Sequence, residues 1–89
     1  MKKPVVMIWT TIKVNKEGIA LPSKCIFKGF IPFVPRVGEG VEITEEYGVE
    51  FVTNVVYSIP NNYVELSVDP VHPEDYEEVD YKAEVEEEV

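Results

Sequence analysis

Side chains able to do covalent chemistry are few here: the 89-residue chain holds one cysteine, Cys25, and one histidine, His72. Nucleophilic catalysis needs a base within hydrogen-bond reach of the nucleophile. These two are distant in sequence, and His72 sits in Pro70-Val71-His72-Pro73, where prolines dictate an irregular backbone. They read as a buried, inert thiol and an ordinary exposed imidazole. His72, Glu74, Asp75 and Glu78 could gather around a divalent ion. The run lacks the ligand spacing and central glycine of a calcium loop, however, and no Cys/His pair is spaced for zinc. Carboxylates abound, yet a solvated charge run explains them without the enclosed cleft that keeps one acid protonated. The residue types predict a noncatalytic protein with no catalytic residues, no metal site and no cofactor.

Attraction is what the acids can offer. Net charge is −9, and residues 1–69 carry seven Lys or Arg against eight Asp or Glu, whereas residues 70–89 carry one Lys against nine acids. A near-neutral body with an acidic end lacks the basic footprint that binds phosphates, so no direct nucleic-acid contact is expected. The acidic segment fits a protein partner with a basic surface, reached through Glu74, Asp75, Tyr76, Glu77, Glu78, Asp80, Tyr81, Glu84, Glu86, Glu87 and Glu88. A sharper version has the acids imitate a phosphate backbone, making the protein a mimic that blocks a nucleic-acid-binding enzyme. The plainer version is a solubilising tail, or a charged edge that resists sheet-to-sheet aggregation. Tyr76 and Tyr81 among these acids also resemble tyrosine-modification sites. A second contact patch is Phe33 with Arg36, an aromatic and a cation on the stiff stretch Pro32–Arg36; Phe33 alternatively lids the open end of a barrel.

The elements that must hold these groups are strands. Pro4–Asn15 is dense in β-branched and aromatic residues, apolar on both faces at its start, and closes in Asn15-Lys16-Glu17-Gly18, which predicts an interior first strand. Within it Trp9 is either a packing residue or a binding anchor. Ile19–Ser23 is a loop or short edge segment broken by Pro22, and Lys24–Ile31 resumes extended character, with Gly29 marking a bulge or bend. Gly38 and Gly40 permit a left-handed turn before Val41–Thr44. Val49, Phe51, Thr53, Val55, Tyr57 and Ile59 then alternate with polar or smaller residues, and so do Val64, Leu66 and Val68. Links at Glu45–Gly48 and Pro60–Asn62 are too short for a parallel crossover, so three consecutive strands form an antiparallel meander. A short helical turn near 73–76 follows from Pro73 ahead of two acids. Val79, Tyr81, Ala83 and Val85 alternate as a sixth, edge strand, or belong to an unstructured acidic tail.

PFVPRVGEGVEI, followed by EFVTNVVYSI and a hairpin into YVELSV, resembles the Pro-x-Val-Gly-acid-x-Val signature of small SH3-like β-barrels found in phage-encoded and bacterial accessory proteins, over residues 24–69. The resemblance implies a fold and a binding habit, that of a phage-type accessory factor which binds and modulates a host protein. The acidic, Tyr-rich loop of polyproline-binding SH3 domains is missing before Val41. Together these readings predict an all-β chain: a small antiparallel SH3-like barrel or strongly bent meander of five to six strands. Residues 1–69 form its body, and residues 70–89 an acidic C-terminal segment of the same domain. An alternative role is a structural or assembly subunit, with homo-oligomers completed strand to strand. The lone cysteine, the short apolar runs and the brief N-terminal Met-Lys-Lys lead predict a cytoplasmic protein that neither spans a membrane nor carries a secretory signal.

Overall fold

The computed structural model describes residues 3–14 and 16–85. It is all-β apart from one 3₁₀ turn. The strands are β1 (Val5–Thr10), β2 (Lys13–Val14), β3 (Ala20–Leu21), β4 (Cys25–Gly29), β5 (Gly40–Thr44), β6 (Gly48–Ser58) and β7 (Tyr63–Val68). Five of them form one curled sheet in the order β4-β1-β7-β6-β5, a half-barrel, while β2 and β3 make a separate ribbon. β5, β6 and β7 are the antiparallel meander that their short links require. β1 lies inside the sheet, antiparallel to β4 and parallel to β7, a pairing that the long intervening chain allows. No membrane-length apolar helix occurs among the described residues.

The core lies on the concave face. Val6, Ile8, Ile26, Val52, Val64, Leu66, Val68 and Tyr76 are buried together, with Ile31, Val34, Val41, Ile43 and Val55 packed around them. The alternation of β7 holds: Val64, Leu66 and Val68 are all sealed from solvent. That of β6 does not. Its register slips between Val52 and Asn54, and a one-residue slip exchanges the two faces. Val52 is therefore buried ahead of the bulge and Val55 points to the core beyond it, while Val49 and Phe51 stand exposed on the convex side. The same bulge bends the eleven-residue strand, so that its first part pairs with β5 and its second with β7.

Three further expectations are corrected. The first strand stops at Thr10: Thr11 N–H makes a last bond to the Val68 carbonyl (2.9 Å), where β7 ends, and the chain then leaves the sheet; Ile12 and Val14 end up exposed. The irregularity in β4 lies opposite Ile8–Trp9, where it turns Ile26 into the core; Gly29 pairs regularly with Val6, and a Cβ there would come within 3.1 Å of the Phe27 ring. Of the two glycines before β5, Gly38 takes the left-handed conformation at φ +91°, whereas Gly40 is needed for room, since a Cβ would lie 2.6 Å from Val49 Cγ1.

A candidate docking site around Tyr47 and Tyr76

The 3₁₀ turn at Pro73–Asp75 forms as the Pro-then-acid order predicts. Its consequence is the placement of Tyr76. That ring is 4% exposed and belongs to the core, so Tyr76 presents to the outside only the small part of its surface that walls the cleft described below. Its hydroxyl donates to Glu50 Oε2 at 3.1 Å, and its ring meets Tyr47 at 4.7 Å between centroids, tilted by 58°. Tyr47 stands in the β5–β6 turn, closed by Gly48 at φ +75°, and donates its own hydroxyl to the Asp75 carbonyl at 2.9 Å.

These contacts draw two acidic stretches together. Glu46 and Glu50 from the β5–β6 hairpin, with Asp75 from the C-terminal segment, line a cleft of about 300 Å³ walled by Tyr47, Tyr76, Pro70, Val71 and His72. Partial burial pushes the Tyr47 phenol up, and the carboxylates of Glu46, Asp75 and Glu77 add to the shift. The Tyr76 phenol is pushed up to about 12, chiefly by burial and then by the Glu50 carboxylate. Among the described residues no Lys or Arg forms an ion pair with Glu46, Glu50, Asp75 or Glu77. Negative potential is concentrated here with aromatic surface beside it.

The remaining acids are placed differently. Glu74 faces His72 (3.4 Å), and its carboxyl is held low by its own backbone N–H and that imidazole. Glu77, Glu78, Asp80 and Glu84 are exposed. Glu86, Glu87 and Glu88 lie outside the described residues. Residues 77–85 form no sixth strand: a single ladder-like bond, Val79 N–H to the Cys25 carbonyl at 2.8 Å, reaches the β4 edge, and the chain then turns at Tyr81–Ala83. Tyr81 lands on the convex face against Trp9 (5.1 Å), half covering it; the indole N–H of Trp9 is enclosed there with no acceptor. Lys24, just ahead of β4, donates to the Tyr76 carbonyl and Lys28 within it to those of Tyr81 and Ala83, so two lysines fasten the segment like a strap.

Phe33 is 87% exposed and does not lid the barrel; Ile31 and Val34 on either side of it pack on the core instead, because the chain bends at Pro32–Phe33 and turns the Phe33 ring outward. Arg36 is exposed too, but tied to Glu39 through Nε (3.5 Å) and through its backbone N–H (2.6 Å). Neither joins the acidic cleft. Cys25 is buried, its thiol donating to the Phe27 carbonyl at 3.3 Å and pushed up by burial, which disfavours the thiolate. No group of three metal-ligating side chains is assembled among the described residues.

No family model, curated protein or solved structure matches the chain. The site therefore has to be read from its own geometry. What sequence reasoning missed is the contribution of the hairpin, Glu46 and Glu50. The signal was present: no Lys or Arg occurs between Arg36 and Lys82, while seven of the eight bases fall in residues 1–36.

Proposed function

We propose that this protein is a noncatalytic interaction module that docks on a basic surface of a partner protein, and that the cleft between Tyr47 and Tyr76 is where docking centres. One observation carries the reading: acids from two distant stretches, Glu46 and Glu50 with Asp75 and Glu77, converge around two tyrosines, and among the described residues no Lys or Arg is ion-paired to them. An arginine or lysine side chain of the partner gains carboxylates at its head and an aromatic wall along its stem. The half-barrel supplies rigidity, and the surrounding exposed acids Glu74, Glu78 and Asp80 steer the approach. A phage-type accessory role, acting on a host protein, is the biological setting in which such a module fits.

The test compares two variants of equal net charge. Glu46→Gln, Asp75→Asn and Glu77→Gln together remove three of the four charges converging on the two tyrosines and leave Glu50 to hold Tyr76, whereas Glu42→Gln, Glu78→Gln and Glu84→Gln remove as many charges elsewhere. Against an arginine-rich peptide at physiological salt, the first variant loses about three- to 150-fold in affinity and the second far less, given about 0.2–1 kcal/mol per exposed pair. Equal losses contradict a site and leave only net charge.

A further inference from the structure

The curled sheet has three open strand edges, finished in different ways. On β4 the edge is occupied by the strap, through Val79 on Cys25 and the two lysines described above. The β5 edge carries Glu42 and runs into Glu45 and Glu46 at the hairpin. The third edge belongs to the second part of β6. Beyond the bulge, Asn54–Ser58 pair with β7 on one side, and among the described residues no strand pairs with the other.

That free stretch has an unusual composition for this chain. From Phe51 to Val64 there is no charged residue, in a protein of net charge −9. Val56, Tyr57 and Ile59 are exposed along it, Ile59 at 89%. Exposed edges are ordinarily defended by lysine, inward charge or a covering segment. Here the bulge at one end and Pro60 at the other limit the length of the edge, but nothing along it repels another strand.

We infer that this edge is a self-association surface, at which two copies pair β6 with β6 antiparallel about a two-fold axis and merge their sheets. The occupant is argued from charge. An isologous contact sets each residue near the axis against itself or a close neighbour, so any charge there would meet its like. The β6 edge is the one uncovered edge free of that conflict. A foreign strand would impose no such neutrality, since opposite charge across the contact would help it bind. The bulge and Pro60 end the ladder after about six residues, which gives a small contact and a reversible dimer. This inference does not rest on the docking reading, and its salt dependence has the opposite sign. Two bodies each carrying −9 repel one another, and added salt screens that repulsion.

Sedimentation equilibrium of the full chain tests it, over a range of concentrations at low and high salt. The weight-average mass rises from 10.2 kDa towards twice that value, further at high salt than at low. Val56 faces Glu65 on β7, so Val56→Lys gains a cross-strand partner within one copy but meets its own like across the axis. The variant stays folded by circular dichroism, and its dimer is weakened by about tenfold or more. In the wild type, hydrogen exchange of the Asn54–Ser58 amides that point away from β7 slows as concentration rises. A one-chain mass at every concentration and both salts overturns the inference. So does a dimer that Val56→Lys leaves as tight as before, or one in which those amides exchange as fast as in the monomer.

Discussion

The Tyr76 hydroxyl donates to the carboxylate of Glu50 across 3.1 Å, joining the C-terminal segment to β6 beneath the concave face of the sheet. This bond fastens the segment whose Pro70, Pro73 and Tyr76 are buried, and it joins the two sides of the acidic cleft. It also leaves a titration signature. A phenol pushed up to about 12 binds its proton more tightly in the folded than in the unfolded chain, whose tyrosines titrate near 10. The stability it contributes is therefore complete below about pH 10 and lost as pH rises towards 12. Urea midpoints should fall over that window, and Tyr76→Phe should flatten the fall relative to the wild type. A variant as steep as the wild type would place the alkaline loss elsewhere.

The same packing predicts what truncation does. A chain ending at Asp69 lacks buried Pro70, Pro73 and Tyr76, and with Tyr76 a member of the core cluster. In a domain of this length, stability is a small remainder of large terms, and Tyr76→Ala alone should cost about 3–5 kcal/mol. The truncated chain is expected to lose its cooperative thermal transition in calorimetry. A sharp transition retained would mean that the strands up to Val68 fold without the strap.

Acid acts from the other side. Asp69 is held low by a hydrogen bond from Lys13, aided by the Thr11 hydroxyl, with Lys13 Nζ at 2.9 Å. A carboxyl whose folded pKa is depressed contributes stability above its unfolded value, lost as pH falls through the folded one. Stability should therefore decline as pH drops below about 4, and Asp69→Asn should reduce the decline while lowering stability at neutral pH by roughly 1 kcal/mol or less, the group being largely exposed. Equilibrium unfolding at stepped pH measures both.

Much of the sheet was legible because burial on one face writes itself as alternation, as Val64, Leu66 and Val68 illustrate. The phase of β6 was not, since its bulge leaves no mark in a row where Val49, Phe51, Val52, Val55 and Val56 are all apolar; which of them faces the core is decided by pairing with β7. Nor could the strand break after Thr10 be read, because the β-branched run continues through Ile12 and Val14. The proposed docking site was half visible. Counting charge by body and tail placed Asp75 and Glu77 in it but hid Glu46 and Glu50, whose approach to Tyr76 depends on a contact 26 residues apart. Counting from Arg36 onward would have exposed the whole acidic stretch, with residues 1–36 supplying Lys24 and Lys28 that fasten it.

The claim on which the functional account turns is that docking centres on the Tyr47–Tyr76 cleft rather than on acidity at large. The most direct measurement is a nuclear magnetic resonance titration of the full chain with an arginine-rich peptide, followed at low and at physiological salt. The account predicts that the largest shifts fall on Glu46, Tyr47, Glu50, Asp75 and Glu77 and persist, weakened, at physiological salt. Shifts spread evenly over the acidic residues, or vanishing together once salt is raised, would contradict it.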